Sequence, residues 1–238
     1  MKNKKRILLK ITGTVLIDQQ TKELTTTFVT SLVNQIKKLL PTHQFGIVIG
    51  GGNFFRGSQQ GKKLGITPSV AHKIGMLSTI MNGLIIKDIM EKQTLTISHF
   101  CALYCPEIGT PITTQKIMNA LNNNHTLIFT AGTGNPFFTT DTSAVLRALQ
   151  MHADEIWKGT NVDGVYTADP HKNSSAQFIQ FLTYKQALDQ HLTVMDATAF
   201  TLADHYKQRI RIFNIFTPDA LCHAAQDNMF GTTIEREG

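Results

Sequence analysis

The chain has 238 residues, 42% apolar and 17% charged, enough to bury the core of one α/β domain and too apolar for a disordered chain. The net charge is +6, but beyond the first six residues the basic side chains are scattered and form no helical stripe, which argues against a specific nucleic-acid partner. Cys101, Cys105 and Cys222 form no paired framework and fit a reducing cytoplasm, while the absence of a signal-peptide pattern or of roughly 18 consecutive apolar residues argues against a membrane partner.

In chain order, the first apolar run predicts a strand over 6–11, which puts Lys10 where the strand meets the turn Thr12-Gly13-Thr14. A lysine there can neutralise a phosphoryl group as a point charge, although no Gly-x-x-x-x-Gly-Lys-Ser/Thr motif occurs. Leu24, Phe28, Leu32, Ile36 and Leu39 recur at helical spacing, and a strand follows over 45–49. Gly50, Gly51 and Gly52 come next. Three glycines in a row weaken any helix or strand and so point to close approach of a ligand, and Arg56 adds a fork suited to phosphate oxygens.

Met76, Ile80, Leu84 and Ile89 mark a second helix, and a strand is predicted over 94–98. His99, Cys101 and Cys105 lack an evident fourth ligand, so no metal site is assigned. A strand over 126–131 leads into Ala131-Gly132-Thr133-Gly134-Asn135-Pro136-Phe137-Phe138-Thr139-Thr140-Asp141, and a helix follows to Met151 with Thr139 or Thr140 as its cap. Strand, glycine loop and helix start together make an anion cradle, because the first N–H groups of a helix are unpaired and carry the positive dipole end. A further strand over 155–158 precedes Asn161, Asp163, Gly164, Tyr166 and Asp169, a segment that reads equally as a β-hairpin. The last strand is predicted over 210–214.

Alternating strands and helices predict a mostly parallel sheet covered on both faces, a three-layer αβα sandwich, with ligands beyond the carboxyl ends of the strands. No linker or repeat divides the chain, so residues 1–238 are expected to form a single domain.

Lys-Ile-Thr-Gly, Val-Ile-Gly-Gly-Gly-Asn-Phe-Phe-Arg-Gly, Gly-Met-Leu-Ser-Thr-Ile-Met-Asn-Gly-Leu, Gly-Thr-Gly-Asn-Pro-Phe-Phe-Thr-Thr-Asp and Val-Asp-Gly-Val-Tyr-Thr-Ala-Asp-Pro, in this order, resemble the bacterial uridylate kinase branch of the amino acid kinase superfamily. The resemblance implies the carbamate kinase-like fold and transfer of the ATP γ-phosphoryl group to UMP in pyrimidine biosynthesis. It also implies ATP with Mg2+ as the substrate complex and a homohexamer. Carried over residue by residue, it gives Lys10, Asp141, Lys158 and Asp196 as catalytic residues. ATP would be bound by Lys10, Ile11, Thr12, Gly13, Gly52, Arg56, Thr160, Tyr166 and Asp169. UMP would be bound by Gly51, Arg56, His72, Thr133, Gly134, Asn135, Pro136, Phe137, Phe138, Thr139 and Thr140. His72 stands where the family usually has an aspartate, and Thr12 and Thr14 replace its usual serine and glutamate. The runner-up is a sister kinase acting on a carboxylate, carbamate or other small phosphate; the Asn-Pro-Phe-Phe-Thr-Thr string speaks against it.

Overall fold

The computed structural model describes residues 4–236 except 19, 169, 171, 174, 191 and 193, with backbone alone at 58 and 59. Its main sheet is built around β1 (Lys5–Ile11), whose Ile7, Leu8, Leu9 and Ile11 are wholly buried, as expected of a parallel strand covered on both faces. On one side of β1 lie β2 (His43–Ile49), β5 (Thr126–Thr130), β3 (Ile97–Cys101) and the short edge strand β4 (Thr110–Pro111). On the other lie β6 (Glu155–Thr160), β10 (Ile210–Asn214), β11 (Thr232–Glu235) and β9 (Phe181–Thr183). Every pairing in this sheet is parallel except β10 with β11. The register sets Lys10 directly beside Lys158.

Side chains alternate between two apolar layers. Ile7, Leu9, Ile11 and Trp157 pack under α1 (Thr27–Leu39), the inner face of α3 (Pro68–Lys92) and α8 (Ala220–Gln226). Leu8, Val48, Leu127 and Ile156 pack under α4 (Thr114–Asn122), α5 (Thr140–Met151), α6 (Tyr184–Asp189) and α7 (Ala197–His205). Each fully buried aliphatic side chain stabilises the fold by roughly 1.5–3 kcal/mol before conformational entropy is subtracted. The result is the expected αβα sandwich, with α2 (Gly57–Lys63) resting on α3.

Several elements differ from expectation. The third strand begins at Ile97 instead of residue 94, because Thr94 adopts φ 68° in the turn that ends α3. Leu24 is outside α1 and bridges to Ile17. Among the described residues, 157–168 do not form a hairpin: β6 belongs to the main sheet, and β7 (Val165–Tyr166) pairs antiparallel with β8 (Phe178–Ile179). By length and composition α3 is apolar enough to cross a membrane. A long core helix passes the same test, and α3 packs on β2, β3 and β5 with Ser78, Thr79 and Asn82 buried.

Candidate active site

The carboxyl ends of β1, β2, β5 and β6 share one edge of the sheet, and the loops that leave them converge there. Thr139 caps α5 by accepting a hydrogen bond from the Asp141 N–H at 3.0 Å, which fixes Asp141 in the first helical turn. Its carboxylate lies between the two neighbouring lysines, with Lys10 Nζ 2.9 Å from one oxygen and Lys158 Nζ 2.6 Å from the other. Lys158 also donates to the Val194 carbonyl. Burial opposes ionisation of Asp141, but Lys10 and Lys158 outweigh it and hold the carboxyl below its ordinary value. For Lys158, burial and then repulsion from Lys10 push the pKa down to about 8 despite the attraction of Asp141. Two cations are thus held side by side by one carboxylate, an arrangement that can take up developing negative charge without reorganising.

Backbone approach shapes the rest. A Cβ on Gly13 would stand 2.2 Å from Asn53 Oδ1 and 2.5 Å from the Gly50 carbonyl, and one on Gly51 would stand 2.8 Å from the Gly75 carbonyl. The triple-glycine loop is therefore seated against both the β1 turn and α3. Wholly buried Asn82, on α3, exchanges amide hydrogen bonds with Asn53 at 2.7 and 2.9 Å and donates to the Gly50 carbonyl at 2.7 Å. Gly50 N–H in turn donates to the Ile11 carbonyl at 3.0 Å.

Two clefts flank this loop. One, of about 370 Å³, is lined by Lys10, Thr12, Thr14, Arg56, Lys158 and residues 159–162 and 164. The other, of about 320 Å³, runs past Gly51, Gly52, His72, Met76, Gly132, Thr133, Asn135, Phe138, Thr139 and Thr140. Among the described residues lining the second cleft there is no Lys, Arg, Asp or Glu, and His72 is its one titratable side chain. Arg56 lines the first cleft and donates from Nε to the Gly52 carbonyl at 3.2 Å, at the boundary between the two.

Not every residue singled out in the sequence faces a cleft. The Ile11 side chain is wholly buried in the core, so only its backbone is available. Gly134, at φ 83°, packs against Ala102, and neither it nor Pro136 lines the second cleft. Phe137, at φ 72° and 67% exposed, packs against His72 with the rings tilted at 54° and their centroids 5.3 Å apart. Tyr166 packs edge-on against Phe178 at 5.5 Å and is not part of the first cleft's wall. Asp196 is the N-cap of α7 and accepts from Ala199 N–H, Thr139 and Thr142, so it joins the starts of α5 and α7, and its charge also favours the ammonium form of Lys158. Asp169 lies outside the described residues. Asn53, Asn82, Asn161 and Val162 were not singled out from the sequence as site residues; Asn53 and Asn82 carried no local signal, because their role depends on α3 reaching the glycine loop. Among the described residues no three His, Cys, Asp or Glu side chains converge as a metal cage.

Comparison with known proteins identifies the family of the chain. The sequence profile of the Amino acid kinase family matches residues 5–214. The chain is 39% identical to the uridylate kinase of Mycoplasma pneumoniae, covering 97% of this chain and 99% of that one. It is 40% identical to the uridylate kinase of Salmonella typhimurium, covering 97% and 95%. The crystal structure of UMP kinase from Ureaplasma parvum superposes with a TM-score of 0.92 at 34% identity, covering 98% of this chain and all of the other. That from Bacillus anthracis gives 0.92 at 32% identity, covering 98% and 97%. The chain belongs to the amino acid kinase family, in its bacterial uridylate kinase branch.

Proposed function

We propose that the chain transfers the γ-phosphoryl group of ATP to UMP, giving ADP and UDP for pyrimidine nucleotide synthesis, and that it does so as a single domain. The observation that carries this reading is the pair of clefts separated by Gly51, Gly52 and Arg56, with the Lys10, Asp141 and Lys158 cluster beside the first. Its support from outside the chain is the similarity over nearly the full length to proteins named uridylate kinase.

On this reading ATP occupies the first cleft and UMP the second. The acceptor phosphate is already a nucleophile, so catalysis consists of bringing two anions into line and neutralising their charge. Lys10 and Lys158 take up charge on the transferring group, and Asp141 keeps both ammonium groups aimed. Thr12 and Gly13 border the donor phosphates, Arg56 reaches the boundary between substrates, and Thr160 and Asn161 lie toward the donor nucleoside. His72, Thr133, Asn135 and residues 138–140 hold the acceptor. Asp141 and Asp196 are already engaged by lysines and hydroxyls, which suits magnesium arriving on the phosphates of ATP better than a cage of protein carboxylates. When bound, that ion would offset charge on the donor phosphates.

We also propose a cytoplasmic homohexamer. Val70, Leu77, Met81 and Leu84 form a stripe on the outer face of α3, 38–53% exposed, of the kind that copies of a chain cover in an oligomer.

The test is ADP release from Mg-ATP with UMP, CMP, dTMP, carbamate and N-acetylglutamate. Selective turnover of UMP, reduced by about 100-fold or more in Lys10→Ala, is expected. Turnover of another acceptor, or of none, overturns the proposal.

A further inference from the structure

Arg147, in α5, is 3% exposed, and among the described residues no carboxylate contributes to its environment. Its guanidinium donates to Gln150 Oε1 at 2.7 Å and to the Gly132 carbonyl at 2.8 Å, and its Nε is buried without a partner. Burial pushes its pKa down to about 10, which leaves it charged at neutral pH. A buried cation with no counter-ion is costly, so its retained contacts call for a reason.

The contact that stands out is with Gly132. Ala131 and Gly132 adopt φ 62° and 57°, a left-handed turn carrying the chain from β5 into the loop that walls the second cleft. No atom would obstruct a Cβ on Gly132, so conformation and not space requires glycine there. For Ala131 the left-handed region is unfavourable, and the turn must be held from outside. Two groups hold it: Thr79 Oγ1, from α3, accepts the Ala131 N–H at 2.8 Å, and Arg147, from α5, binds the next carbonyl. The cleft beyond has no charged lysine, arginine, aspartate or glutamate among its described lining residues. Arg147 itself lines a separate cleft of about 260 Å³ together with Thr133 and Gln150, and its positive charge reaches the second cleft's wall through the Gly132 carbonyl.

We propose that Arg147 is a positioning residue for the acceptor nucleotide, fixing the Ala131-Gly132 turn and lending the acceptor cleft positive charge, so that it sets acceptor affinity and not the rate of transfer. This rests on reading the second cleft as the UMP site.

The experiment compares wild type, Arg147→Lys and Arg147→Met in KM for UMP, KM for ATP and kcat, with melting temperatures taken in parallel. Arg147→Met is expected to raise the UMP KM about tenfold or more, the effect of losing a hydrogen bond from a charged group. The ATP KM should stay at the wild-type value and kcat should fall by less than about threefold, since interactions made equally in ground and transition states act on KM. Arg147→Lys keeps the charge and should recover part of the loss. Folded variants with an unchanged UMP KM, or with UMP and ATP KM raised equally, overturn the inference. If Arg147→Met does not fold, Arg147→Lys decides alone, and an unchanged UMP KM overturns the inference. A wild type that uses another acceptor overturns the assignment of UMP separately, and the same KM comparison is then made with that acceptor.

Discussion

Lys158 Nζ stands 2.6 Å from Asp141 Oδ2, in a contact where both side chains are at most 15% exposed. The pairing is asymmetric in effect. Asp141 is flanked by two cations and stays ionised, whereas Lys158 is buried beside Lys10 and its pKa falls to about 8. In the free enzyme kcat/KM for ATP should therefore fall on the alkaline side with a midpoint near pH 8, and the limb in kcat should lie higher, because bound phosphates favour the ammonium form. Since the folded pKa is below the ordinary 10.5, the unfolded chain binds more protons between pH 8 and 10.5, and this group makes stability rise with pH over that window.

Asp141→Asn removes the charge that raises the Lys158 pKa. The alkaline limb should move to lower pH and kcat should drop by about 100-fold or more. A pH-rate profile on the variant checks both; an unmoved limb would show that Asp141 does not govern Lys158.

Gly13→Ala should disturb the donor side first. The new Cβ would fall 2.2 Å from Asn53 Oδ1, and the glycine loop or the β1 turn must shift to admit it. A loss of about 1–3 kcal/mol in stability is expected, measured by urea unfolding, with the KM for ATP raised more than that for UMP.

His72→Ala removes the ring on which Phe137 rests and opens the second cleft. UMP KM should rise by about three- to tenfold with ATP KM unchanged, a loss of roughly 1 kcal/mol of contact, checked by steady-state kinetics with each substrate varied.

Glu155→Gln tests the far end of the sheet. Glu155 and Arg211 are both wholly buried with Nε 2.9 Å from Oε1, and Lys5 is 2.8 Å from the other oxygen. Neutralising the carboxylate strands the guanidinium and should cost about 3–5 kcal/mol, while kcat of the folded enzyme is unchanged. Although burial opposes ionisation of Glu155, Lys5 and Arg211 hold its carboxyl below the ordinary value of 4.5. Its stabilisation is therefore present above pH 4.5 and lost as pH falls through the lower folded value, so the difference between variant and wild type should narrow in acid.

The central strands were legible because strands buried on both faces are continuous apolar runs, as in Ile7-Leu8-Leu9 and Ile47-Val48-Ile49. The short strands β4, β7, β8, β9 and β11 were not, since two to four residues carry no period and their pairing is decided by distant segments. In the site, Lys10 was legible from its place at a strand end, whereas Asp141 was marked by the resemblance, and the two lie 2.9 Å apart. Asn82 and Arg147 were not legible: each sits within a helix and acts on a loop that only tertiary packing brings alongside. Asp196 was named through the resemblance alone; its oxygens accept from Ala199 N–H, Thr139 and Thr142 and so tie the starts of α5 and α7 together beside the lysines.

Because Lys10 and Lys158 are neighbours in adjacent parallel strands, the chemistry of the site also guards the alignment of the sheet. Sliding either strand by one residue would turn its lysine away from Asp141 and into the layer of Leu9, Ile11 and Trp157, where an ammonium group has no counter-ion. Misaligned pairings are thus penalised by the residues that make the protein useful. A single-residue insertion in β1 or β6 should fail as a fold before it can be assayed as an enzyme.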